Sequence, residues 1–80
     1  MIQHDSPPHG WTYANIGFQE MWGWAHAAVA YLVVHDFASD EWSASVKDLY
    51  TGRVEVFPDH IGSLAEGIAL CKSKFNQAKS

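Results

Sequence analysis

Polar and apolar residues alternate most strictly over residues 42–48 (WSASVKD), with the larger apolar side chains at even positions and small or charged ones at odd positions. Period two is the spacing of side chains on one face of a β-strand, so the segment is expected to be a strand with one face buried. Before it, residues 28–37 (AVAYLVVHDF) are rich in β-branched and aromatic residues and run into Ala38-Ser39-Asp40-Glu41, a polar tetrad suited to a turn. After it, Gly52 supplies the positive φ that a short hairpin loop over residues 49–53 needs. Residues 54–57 (VEVF) then resume the alternation until Pro58 stops it. The pattern predicts a three-stranded antiparallel meander.

Ile61, Leu64, Ala65, Ile68, Cys71, Phe75 and Ala78 then recur at three- and four-residue intervals, the spacing of an amphipathic helix, with Asp59 as its expected N-cap. Phe18, Met21, Trp22, Ala25 and Val29 also fall at helical spacing, which predicts an N-terminal helix over residues 11–25. Gly17 and Gly23 oppose it by about 1 kcal/mol each relative to Ala. Residues 1–10, with Pro7, Pro8 and Gly10, show no periodicity and are expected to form a flexible arm on a single α+β domain of residues 11–80.

A loop over residues 38–41 sets Phe37 opposite Trp42, so Phe37, Val33, Tyr31 and Val29 share the helix-covered face with Trp42, Ala44 and Val46. The opposite face presents Leu32, Val34 and Ala30 beside Ser43 and Ser45, an apolar stripe that needs a cover. A homodimer or a hydrophobic docking surface is the expectation.

At 80 residues, 48% hydrophobic and with eleven aromatics (four Trp, three Tyr, four Phe), the chain is a packed globule with room for one core. Large cofactor-binding folds are excluded by size. The net charge of −4 is polarised, because Asp5, Glu20, Asp36, Asp40 and Glu41 all precede the first cation, Lys47. Direct binding to a phosphate backbone is disfavoured, and a protein partner with a basic, nucleic-acid-binding surface is the better electrostatic match. Cys71 is the sole cysteine, which excludes an intramolecular disulfide and a multi-cysteine zinc site. The longest apolar run, residues 27–34, falls far short of the roughly 20 residues of a membrane span, and no cationic leader opens the chain. A cytoplasmic protein without membrane contact is expected.

Candidate chemistry is sparse. His4, Asp5 and His9 could ligate a metal, but on a mobile arm such affinity is adventitious, so no metal site is expected. His35-Asp36 and Asp59-His60 suggest acid–base pairs, yet neighbours on a strand point to opposite faces, and no G-x-S-x-G elbow or phosphate-binding glycine pattern accompanies them. Cys71 falls on the apolar side of the last helix, where a thiol is inert. No catalysis and no cofactor are expected. A small-ligand pocket around Trp22, Trp24 and His26 is a separate reading. The acids Asp36, Asp40 and Glu41, with Asp48 approaching from the next strand, form the cluster that could meet Lys and Arg on a partner. An acidic turn also discourages edge pairing. With Trp42, Leu32 and Val34, these four acids are the candidate partner-binding residues.

The order helix, three-stranded meander, helix resembles the double-stranded RNA-binding domain. Residues 59–63 (DHIGS), however, lack that family's lysine cluster at the start of the last helix. As a class profile the chain resembles phage-encoded inhibitors of the anti-CRISPR type: short, acidic, compact and aromatic-rich, with the acidic segment 36–41 and no enzymatic signature. That resemblance implies binding to a Cas complex and occlusion of its DNA channel. An antitoxin-like or regulatory module docking through its apolar sheet face is the alternative.

Overall fold

The computed structural model describes residues 10–79, so the expected arm, apart from Gly10, lies outside the described residues, together with His4, Asp5 and His9. The strands are β1 (Thr12–Asn15), β2 (Gln19–His26), β3 (Val29–Asp36), β4 (Glu41–Asp48) and β5 (Val54–Val56), followed by helix α1 (Leu64–Lys79). The strands form one antiparallel sheet in the order β1-β2-β3-β4-β5. The fold is thus α+β, with a sheet and a C-terminal helix as expected, but with five strands in place of three. The segment expected to be an N-terminal helix forms β1 and β2. With that helix gone, the chain loses the element order it shared with the double-stranded RNA-binding domain.

The strand form of residues 12–26 has a packing reason. Tyr13 pairs with Trp22, and Glu20, Trp22 and Trp24 alternate onto the face that carries Tyr31, Val33 and His35 of β3. A helix would have divided these rings among several directions. The β2–β3 connection is the two-residue loop Ala27-Ala28, with Ala27 at φ 55°.

Across β3 and β4 the register is His35↔Trp42, Val33↔Ala44 and Tyr31↔Val46. The loop is residues 37–40, one residue earlier than expected, so His35 and not Phe37 opposes Trp42. The register moves by two residues, so every side chain that remains in β3 or β4 keeps its expected face. Phe37 itself leaves the helix-covered face and stands 41% exposed in the loop.

Helix α1 lies across β3 and β4, with Cys71, Ile61, Val33 and Ala44 buried between helix and sheet. Ser63, not Asp59, caps it: the Glu66 N–H donates to Ser63 Oγ at 3.2 Å, and Glu66 Oε1 accepts from the Gly62 N–H at 2.9 Å. Over β1 and β2 the aromatic residues complete the cover. Trp11 and Trp22 are buried, and Trp24 packs among Trp11, Tyr31 and Phe75 at centroid distances of 5.7, 5.6 and 5.2 Å. This is where the tryptophans that exceed the needs of three strands go: Trp22 is buried among protein neighbours, and of Trp22, Trp24 and His26 only Trp24 borders a groove.

Candidate functional site

The end of the sheet that carries the β1–β2 and β3–β4 loops gathers most of the unusual side chains. The Phe37 N–H donates to the Phe18 carbonyl at 3.2 Å, which joins the two loops. Ile16, Phe18 and Phe37 stand 50%, 63% and 41% exposed on them. Asp36, Asp40 and Glu41 lie at the same end, and Glu20 lies beneath, 7% exposed. Lys47 is placed at the opposite end of β4, level with Ala30.

Behind this surface, His35 bridges two carboxylates. Its Nδ1 lies 2.8 Å from Glu20 Oε2 and its Nε2 2.7 Å from Asp40 Oδ1. Ionised carboxylates only accept, so both ring nitrogens donate and the ring is an imidazolium. Asp40 first, and Glu20 second, hold the His35 pKa above the usual histidine value. Tyr13 Oη donates to the other Glu20 oxygen at 2.8 Å, and this bond raises the Tyr13 pKa. The ring of Trp42 stacks on His35 at 4.2 Å and 12°, and Trp22 stacks on Trp42 at 5.7 Å. Asp40 adopts φ 57°, so this ion pair holds a non-glycine residue in the left-handed region.

Of the sequence-proposed residues, Asp36, Asp40 and Glu41 do come together. Asp36 caps its own loop, accepting from the Ala38 and Ser39 N–H groups at 2.9 and 3.2 Å, and the Ser39 N–H foremost holds its carboxyl below the usual aspartate value. Asp48 does not join them: it pairs with Val29 at the far end of β4 and caps the β4–β5 loop through the Tyr50 and Thr51 N–H groups at 2.8 and 3.1 Å. An eight-residue strand separates the two groups by roughly 23 Å. Trp42 lies on the helix side, while Leu32 and Val34 lie half-buried on the opposite face. Sequence reasoning missed Ile16, Phe18 and Glu20, because all three depend on reading residues 12–26 as a hairpin.

Neither His35 nor Cys71 is free to react. Both His35 nitrogens are engaged, and burial pushes the Cys71 thiol up to about 11. His35 lies between its carboxylates, which therefore do not converge on one point as metal ligands would. Asp59 and His60 are exposed in the segment between β5 and α1. No described helix is long and apolar enough to cross a membrane. Comparison with protein-family models, curated proteins and solved structures finds no match.

Proposed function

We propose that the chain is a non-enzymatic protein-binding inhibitor whose acidic, aromatic sheet end docks on the basic surface with which another protein holds nucleic acid. The observation that carries this reading is the meeting of Ile16, Phe18 and Phe37, all exposed, with Asp36, Asp40 and Glu41 in joined loops. Exposed aromatic side chains ringed by charge are the composition of an interface hot spot, which a partner pocket desolvates. The carboxylates stand where phosphates would stand and steer the encounter with Lys and Arg. The inhibitor reading keeps the anti-CRISPR class profile, with a Cas effector complex as the partner and its DNA channel as the surface occluded.

The test uses purified Cas effector complexes of several types with labelled target DNA, titrated with the chain. Displacement of DNA from at least one complex at micromolar chain, lost at high salt and in an Asp40→Lys/Glu41→Lys double variant, is the expected result. DNA retained by every complex removes the anti-CRISPR assignment. Displacement that persists in the double variant removes the acidic end as the binding surface.

A further inference from the structure

The sheet face opposite α1 is uncovered among the described residues, and its side chains lie in ordered rows across the strands. At the β3–β4 loop end the row is Gln19, Asp36 and Glu41, and at the other end it is Ala25, Ala30 and Lys47. Between them lie Met21, Val34 and Ser43, then Gly23, Leu32 and Ser45. On β5, Val56 extends the row of Ser45 and Val54 the end row of Lys47, 63% and 55% exposed. A groove of about 520 Å³, lined in part by Gly23, Ala30, Leu32, Ser45 and Lys47, crosses the face. The face is acidic at one end, basic at the other and apolar between.

We propose that a second copy of this chain covers this face, packed sheet on sheet about a two-fold axis that lies between the sheets and runs perpendicular to the strands. That operation keeps each strand over its own mate and exchanges the two ends. Glu41 then meets Lys47 of the second copy and Lys47 meets its Glu41, two equivalent ion pairs. Among the described residues neither Glu41 nor Lys47 has an ion-pair partner within its own chain. A two-fold axis along the strands would instead lay acid on acid, which disfavours it. With the axis between the two middle rows, Met21 falls over Gly23 and Val34 over Leu32, so large side chains meet small ones or interdigitate. The Cβ that Gly23 lacks would stand 3.5 Å from Thr12 Oγ1 and 3.8 Å from Leu32 Cδ1, so the glycine leaves a depression between those two side chains.

A five-stranded face of this strand length offers on the order of 500 Å² per copy, at the low end for a specific interface, so a micromolar dissociation constant is expected. Sedimentation velocity of the full chain from about 1 to 500 µM is expected to show a monomer–dimer equilibrium in that range. Lys47→Glu and Glu41→Lys should each weaken it at least tenfold, and the double exchange Glu41→Lys/Lys47→Glu should bring it back to within about threefold of the parent. These substitutions lie on exposed positions, and an unchanged melting temperature certifies the fold of each variant. A chain that stays monomeric at 500 µM, a dimer indifferent to both single reversals, or a double variant that does not recover overturns the proposal. Lys47 lies at the other end of the sheet from the docking loops, so its reversal tests self-association separately from inhibitor activity.

Discussion

His35 and Trp42, directly opposed on β3 and β4, stack face to face at 4.2 Å while His35 holds a buried glutamate with one nitrogen and a loop aspartate with the other. The indole face is electron-rich and favours the charged form of the ring upon it. Glu20 is 7% exposed, and Tyr13 and His35 satisfy one of its oxygens each, as a buried polar group requires. The loop that presents the acids is thereby tied to the core beneath it.

His35→Phe preserves a flat ring over Trp42 but strips Glu20 of its cation. A carboxylate left short of a partner at low exposure costs about 2–3 kcal/mol. Urea unfolding should show a lowered midpoint, and the further change Glu20→Gln should recover part of the loss by removing the unpaired charge. A His35→Phe chain as stable as the parent would show that the bridge contributes nothing to folding.

The same bridge sets a pH dependence. The folded-state pKa of His35 is raised, so its stabilisation is complete below the unfolded value of about 6.5 and is lost as pH rises through the folded value. The melting temperature should therefore fall between about pH 6.5 and alkaline pH. Asp40 is the leading cause of the shift, so in Asp40→Asn the fall should be smaller. An equal or steeper fall in Asp40→Asn contradicts the assignment.

The parts of the fold legible in the sequence are those where one strand face is apolar and the other is not. In β4, Trp42, Ala44 and Val46 alternate with Ser43 and Ser45, and Gly52, at φ 78°, marks the following hairpin. In β2 that contrast is absent: the open face carries Met21 and Ala25, and the covered face carries Glu20. The turn after β2 is Ala27-Ala28, which has no Gly, Asn or Asp to mark it, so nothing in the sequence shows where β2 ends and β3 begins. The acidic loop was legible as composition. Its link to Glu20 was not, because the pairing Glu20↔His35 exists only once that hairpin is known.

Ala27 at φ 55° adopts a conformation that costs an L-residue roughly 1–2 kcal/mol, against 0.5–1 kcal/mol of extra chain entropy for glycine. Ala27→Gly should therefore stabilise the domain by about 0.5–1 kcal/mol, read as a raised denaturation midpoint with an unchanged slope. A lowered midpoint would mean that the methyl group makes a contact worth more than the backbone strain.

Gly67 shows the opposite logic. A Cβ there would lie 2.7 and 3.0 Å from the two Val33 methyl carbons and 3.2 Å from Ile61 Cδ1, so the missing side chain is what lets α1 approach the sheet. Helix propensity alone favours Gly67→Ala by about 1 kcal/mol, and overpacking of a buried contact opposes it by about 1–3 kcal/mol. Val33 is fully buried and cannot swing aside, so the clash wins. Gly67→Ala should lower stability, and Gly67→Ala with Val33→Ala should recover part of the loss. A stabilised single variant would show that the helix can lift without cost.

Phe18 and Phe37 separate folding from binding. Their rings stand 63% and 41% exposed, while Glu20 and Val33 on the covered face of the neighbouring strands are buried. Exposed aromatic residues contribute little to the folded state, so Phe18→Ser should change stability by no more than about 0.5 kcal/mol. Phe37 also packs edge-on against His35 at 5.4 Å, so Phe37→Ser should cost somewhat more. In a partner pocket the same rings would be desolvated anchors, and removing either should weaken inhibition tenfold or more. The ratio of the two effects carries the argument: a loss of inhibition with stability retained places the rings in the interface. A parallel loss of both assigns them to the fold, and full inhibition by the Phe18→Ser/Phe37→Ser double variant would leave the acids without their apolar anchor and the docking surface elsewhere.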